Sequence, residues 1–260
     1  MCLILFAYRV HPRYELVLAA NRDEFYTRPT APLGFWDDVP DLLAGRDLKE
    51  GGTWLGITRR GRFAAITNYR DPSRFRPDAP SRGTLVSDYL SGTESAQEYL
   101  ARIAPRGENY NGFNLLLGGI SGLFYYSNQG GGSPRALTPG LYGLSNHLLN
   151  TPWPKVDRGR QGLAALLENN TKLAPEALLA LLTDRARPAD ADLPNTGVTL
   201  EWERVLSSLF IESPDYGTRS STALLVEKGG AVQVAEKTWA DGKTREFRLQ
   251  WPVGTTIIVN

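Results

Sequence analysis

The chain has 260 residues, 42% of them hydrophobic and 22% charged, with a formal net charge of +1. A chain of this size and composition can bury a large core without a metal or disulfide staple. Cys2 is the single cysteine, which excludes an intramolecular disulfide, and the near-neutral charge gives no electrostatic footprint for nucleic acid. No apolar run approaches the ~20 residues of a membrane helix. Residues 3–7 are apolar but too short, and too soon followed by charge, to be a secretory signal. The expectation is a soluble, cytoplasmic protein.

In chain order, residues 3–9 and 15–20 are β-type runs split by a turn at His11-Pro12-Arg13. Residues 27–52, rich in Pro, Gly and Asp, read as a loop. A second hairpin pairs 54–58 with 63–68 around Gly61, which supplies a positive φ. Residues 70–82, the densest basic stretch, carry acids and prolines among the arginines and read as a solvated loop. Apolar residues then recur at helical spacing over 83–90 and 95–103, until Pro105 and Gly107 end the pattern. A third hairpin joins 113–118 to 123–127 across Gly119–Gly122. Glycines 130–132 lack the strand-to-helix context of a phosphate cradle. A strand over 141–146 precedes helices over 155–168, 175–186 and 200–210, the second opening on Pro175. Strands return at 221–226, 232–235 and 246–251. Helices come in blocks between hairpins instead of alternating with single strands. That order predicts an α+β protein of antiparallel sheets covered by helices, one domain over 1–260.

Cys2 directly follows the initiator Met1. Aminopeptidases that remove this methionine accept a small second residue, and removal leaves a thiol and a free α-amine on one residue. With pKa values of about 8.5 and 7.7–8.0, the amine can take the thiol proton near neutral pH. The run Asn21-Arg22-Asp23-Glu24 closes the first hairpin and so returns beside Cys2. A carboxylate there can hold the new ammonium, and an arginine can favour the thiolate. Strand alternation sends Arg22 and Asp23 to opposite faces. The plain alternative is a solvated strand end making local ion pairs.

The segment NRDE at 21–24 resembles the signature of the NRDE family, whose eukaryotic members are called transport and Golgi organisation 2. GGTWLGITRRGRFAAITNYRDP (51–72), SRGTLVSDYL (81–90), YNGFNLLLG (110–118), GLSNHLLNTPWPKV (143–156) and YGTRSSTALLV (216–226) resemble further segments of that family, in order. The resemblance implies a four-layer αββα sandwich of the N-terminal-nucleophile hydrolase type, related to choloylglycine and penicillin V acylases. It implies Cys2 as nucleophile, Asp23 as the carboxylate at its amine, and Asn68 as an oxyanion-hole donor. Asn146, or nearby Asn150, would orient the amine or the substrate carbonyl, and Arg219 would be a second site arginine. Those acylases carry an arginine three residues before the aspartate, where this chain has Ala20.

Asn21, Arg22, Trp54, Tyr69 and His147 complete the candidate ligand-binding set. Trp36, Trp54 and Trp153 are expected as core or as pocket wall, and His11 as an exposed turn residue. Two functions fit. One is a cysteine amidohydrolase acting on a small non-peptide amide without a cofactor. The other, resting on the resemblance, is an intracellular carrier of haem or a lipid-like ligand, with Cys2 or His147 as a haem ligand and Arg22 or Arg219 facing its propionates.

Overall fold

The computed structural model describes residues 2–119 and 121–252. The expected removal of Met1 and the centre of the turn at Ile120 lie outside them. In chain order the elements begin with β1 (Cys2–Tyr8), β2 (Tyr14–Phe25), β3 (Thr30–Phe35), β4 (Leu42–Asp47), β5 (Leu55–Thr58) and β6 (Arg62–Asn68). Then come α1 (Thr84–Ser91), α2 (Ala96–Ile103), β7 (Phe113–Gly119), β8 (Gly122–Ser127), β9 (Arg135–Ala136) and β10 (Gly140–Leu144). The chain continues through α3 (Pro154–Asn169), α4 (Pro175–Leu181), α5 (Leu200–Val205), β11 (Tyr216–Glu227), β12 (Ala231–Thr238) and β13 (Thr244–Gln250).

Two antiparallel sheets result. One has the order β10-β1-β2-β11-β12-β13 and the other β3-β4-β5-β6-β7-β8-β9. The reason is visible in β1. Its near-continuous apolar run is buried on both faces: Ile4, Phe6 and Tyr8 enter the core between the sheets, while Leu3, Leu5 and Ala7 pack under α3 and α4. A strand covered on one face only would alternate apolar with polar. On the second sheet, Leu115 and Leu117 of β7 meet Val86 and Leu90 of α1 and Leu100 of α2. The layers are therefore helix, sheet, sheet, helix, the expected αββα sandwich.

The segment expected to be a loop over 27–52 contains β3 and β4. Its Pro and Gly content is compatible with strands because β3 is the sheet edge, and its register breaks between Ala31 and Gly34 around Pro32. Glu236 of β12 ties that edge to the opposite sheet by accepting the Leu33 N–H at 2.7 Å. β2 runs on through the NRDE segment, because β11 starts at Tyr216 and pairs along its whole length. Those polar residues are thus in mid-sheet, not at a solvated strand end. The helices expected over 175–186 and 200–210 stop at Leu181 and Val205. His11 is buried, not exposed: Nδ1 accepts from the Arg13 N–H, so the Nε2–H donates to Asn170 O at 3.1 Å. Among the described residues, no helix is long and apolar enough to cross a membrane.

Candidate functional site

The register of β1 on β2 sets Cys2 opposite Arg22 and Ile4 opposite Ala20. Directly opposed residues share a face, so Arg22 stands on the same face of the sheet as Cys2. Position 20, where the resembling acylases carry arginine, is on that face as well. Arg22 thus places a cation on that face, one side-chain repeat beyond Ala20. Its guanidinium lies 4.1 Å from the Trp54 ring centroid, and Nη1 donates to Thr30 Oγ1 at 3.1 Å.

Asn21 and Asp23 face the other way, towards the helices. Asn21 Nδ2 donates to Leu182 O and Leu209 O at 3.0 and 2.8 Å, and its Oδ1 accepts from Ser221 Oγ at 2.6 Å. These bonds pin two inter-element loops to the sheet and turn Asn21 from the ligand side to a structural one. Asp23 Oδ1 accepts from Thr218 Oγ1 at 2.7 Å, and its carbonyl accepts from Tyr216 OH at 3.0 Å. Burial raises the Asp23 carboxyl above its ordinary pKa, against the pull of Lys155 and Arg70. Burial likewise raises the Cys2 thiol; Asp23 pushes the same way and Arg22 opposes it.

Cys2, Arg22, Asp23 and Glu24 line one end of a cavity of about 320 Å³. Thr53 and Trp54, then Asn68 at the end of β6, form its walls, and the segment from Phe75 to Gly83 closes the far side. Asn146 does not line it. Buried behind Asn68, it donates from Nδ2 to Asn68 O at 3.0 Å, while its own carbonyl accepts the Arg70 N–H at 2.8 Å. It thus holds the chain that presents Asn68. Asn150, the alternative, adopts φ 61° and caps the β10 turn through Gly143 N–H.

Three other candidates lie apart from this cavity. Tyr69 OH and His147 Nε2 are 2.8 Å apart, and His147 Nδ1 is 2.8 Å from Thr151 Oγ1. Burial lowers the His147 pKa, and the ring sits between Tyr69 and Trp153. Arg219 braces the loop after β2 by donating to Phe25 O and Arg28 O. It lines a second cavity of about 250 Å³ on the other side of Arg22 and Trp54. Of the remaining tryptophans considered, Trp36 and Trp153 are core. Among the described residues, no group of three His, Cys, Asp or Glu side chains is arranged to hold a metal.

Sequence reasoning passed over three cations. The 70–82 stretch, expected to be solvated, turns inward at both ends. Arg70 is buried and ion-paired with buried Glu203 at 2.8 Å, and Arg82 lines the cavity. Lys155, at the start of α3, is buried with Nζ donating to Leu206 O at 2.9 Å, and burial lowers its pKa to about 8. Arg82 and Lys155 each sit inside a family-like segment, but only their packing marks them out.

Comparison with known proteins agrees with this architecture. Residues 1–241 match the family described as Transport and Golgi organisation 2. The Transport and Golgi organization protein 2 homolog of Bos taurus is 40% identical over 277 residues, covering 96% of this chain and 100% of that protein. The Drosophila melanogaster protein of the same name is 30% identical, covering 92% of each chain. Among solved structures, a Caenorhabditis elegans N-acylethanolamine-hydrolyzing acid amidase ortholog superposes with a TM-score of 0.50 at 10% identity. The match covers 86% of this chain and 92% of that one. The two helix-covered antiparallel sheets are thus those of the N-terminal-nucleophile hydrolase fold, and the chain belongs to the Transport and Golgi organisation 2 family.

Proposed function

We propose that this chain is a cysteine amidohydrolase that uses Cys2 as an N-terminal nucleophile on a small amide. The observation that carries the reading is the β1–β2 register. It opposes Cys2 to Arg22 and leaves Asp23 one residue further along, beside the direction in which a Cys2 α-amine projects. Burial alone keeps the thiol protonated, so the chemistry needs a base. The α-amine released by loss of Met1 supplies it, and Arg22 on the same face favours the thiolate.

The amine takes the thiol proton, and sulfur attacks the amide carbon. The Asn68 amide and a backbone N–H stabilise the oxyanion. Collapse breaks the C–N bond, and the ammonium returns its proton to the leaving amine. Water, deprotonated by the same α-amine, then hydrolyses the thioester and restores the thiol. Asp23 holds the ammonium throughout.

Intact-mass spectrometry of protein from its native cell tests this. The expected result is loss of Met1 and a transient acyl adduct on Cys2 after brief exposure to N-acyl amides, N-acylethanolamines first. Mature protein that forms no adduct and hydrolyses no amide, with Cys2→Ser indistinguishable from wild type, sinks it. A carrier of haem or a lipid-like ligand is the second reading: while Met1 remains, the buried thiol is neutral and lacks the amine base that a nucleophile needs, though a neutral thiol does not by itself favour haem ligation either. The occupied ring nitrogens of His147 give haem ligation no added support. A Soret shift on haem titration, lost in Cys2→Ala, distinguishes the carrier.

A further inference from the structure

Charge in the Cys2 cavity is not balanced pair by pair. Arg28 is neutralised by Asp47, whose Oδ2 lies 2.6 Å from Nη2. Arg22 commits its face to Trp54 and one N–H to Thr30. Arg82 differs. It is half-buried in the cavity wall, and its Nη1 donates to Gly112 O at 3.0 Å. Among the described residues no carboxylate comes within ion-pair distance of it; Glu24 and Cys2 act on it only at longer range.

A partly desolvated guanidinium with spare donors is costly unless something pairs with it. Its planar fork matches a carboxylate or phosphate in two parallel hydrogen bonds. The backbone carrying it is held firmly. A Cβ on Gly52 would lie 2.5 Å from the Gly83 carbonyl carbon, so these two glycine backbones are in direct contact, and the Thr53 N–H donates to Gly83 O at 3.3 Å. Arg82 thus enters the cavity from a fixed frame, as pre-organised recognition requires. Lys49 and Arg76, both exposed, and Glu24 and Glu50 line the same cavity without salt bridges to one another among the described residues, whereas Arg82 is held partly out of water.

We propose that Arg82 is the anion-recognising residue of this cavity, and that the molecule bound beside Cys2 carries a carboxylate or a phosphate. This rests on the reading of Cys2 as the functional thiol, but not on amide turnover.

Because Cys2 is the single thiol, its alkylation can be followed by intact mass. Iodoacetate and iodoacetamide are close to isosteric; each transfers its carbon to sulfur with loss of iodide, and only the first is charged. The ratio of their rates cancels any change in thiol ionisation. The expected ratio at Cys2 is about tenfold above that of a free cysteine peptide. It collapses in Arg82→Gln and is partly restored in Arg82→Lys, while unchanged circular dichroism and urea midpoints of both variants report an intact fold. Protection of Cys2 by inorganic phosphate at lower concentration than acetate assigns a phosphate group, and the reverse order a carboxylate. An unchanged ratio in Arg82→Gln, protection by neither anion, or no labelling by either reagent overturns the proposal. An intact ratio without any amide hydrolysis leaves Arg82 in place and sinks only the hydrolase reading.

Discussion

Asn68 and Asn146 divide one task at the residue scale. Asn68 faces the cavity; Asn146, fully buried, fixes the chain that carries it. Asn68→Ala is expected to slow acylation of Cys2 by ~10²–10³ with the unfolding midpoint unchanged, the usual cost of one oxyanion donor. Asn146→Ala is expected to behave differently. It strands buried polar atoms, so stability in urea falls by about 1–3 kcal/mol, and the rate falls with it. Parallel denaturation and acylation measurements separate the two, and equal stability losses in both variants would reject the division. Sequence alone brought Asn68 and Asn146 forward together, since both resemble site asparagines. Only packing shows that Asn68 lines the cavity while Asn146 is buried behind its carbonyl.

Two contacts between elements carry predictions at the next scale. The first is the ion pair of Arg70 with Glu203 of α5, both buried, where Glu203 Oε1 also accepts from the Thr196 N–H at 2.8 Å. Removing a carboxylate from such a site leaves buried donors behind, so Glu203→Ala is expected to cost about 3–5 kcal/mol in chemical denaturation. A loss below ~1 kcal/mol would show that the pair is energetically idle. The second is the Gly52–Gly83 approach at the start of α1. Gly52→Ala forces backbone apart and is expected to cost about 1–3 kcal/mol and to change the alkylation ratio governed by Arg82. By contrast, Ser95 and Glu98 form a reciprocal cap at the start of α2 on the outer layer. Ser95→Ala is expected to cost about 1 kcal/mol without touching Cys2 chemistry.

Over the whole molecule, the two sheets and their helices enclose charges that titrate in the alkaline range. Lys155 loses its proton at about pH 8 in the fold, against an ordinary value of 10.5. Between those values the unfolded chain binds the extra proton, so this residue's contribution to stability rises with pH from about 8 to 10.5. Above that window the penalty of about 3 kcal/mol that burial places on the charged lysine at lower pH is gone. Cys2, Tyr99 and Tyr216, whose pKa values burial raises, act with the opposite sign as pH climbs. The wild type minus Lys155→Met difference in unfolding free energy isolates the lysine, and is expected to shift in favour of the wild type as pH rises from 7.5 to 9.5. A flat difference would mean that Lys155 keeps its proton.

The amino-acid sequence by itself determined the strands of β1, β2, β5 to β8 and β10 to β13, and the antiparallel order with helices in blocks. It also brought Cys2 to the Asp23 end of one hairpin. Those features are local: they follow from side-chain periodicity, from turn residues such as Gly61 at φ 87°, and from the short span that joins paired strands. Tertiary structure alone decided the rest. β3 and β4 are strands despite a loop-like composition, because an edge tolerates Pro32. Arg70 is buried because Glu203 reaches it across 133 positions of chain, a separation that no pattern of neighbours can encode. Arg82 and Arg219 look alike in sequence. Arg82 lines the thiol cavity and Arg219 the neighbouring one, because packing, not residue type, sets where a guanidinium comes to rest.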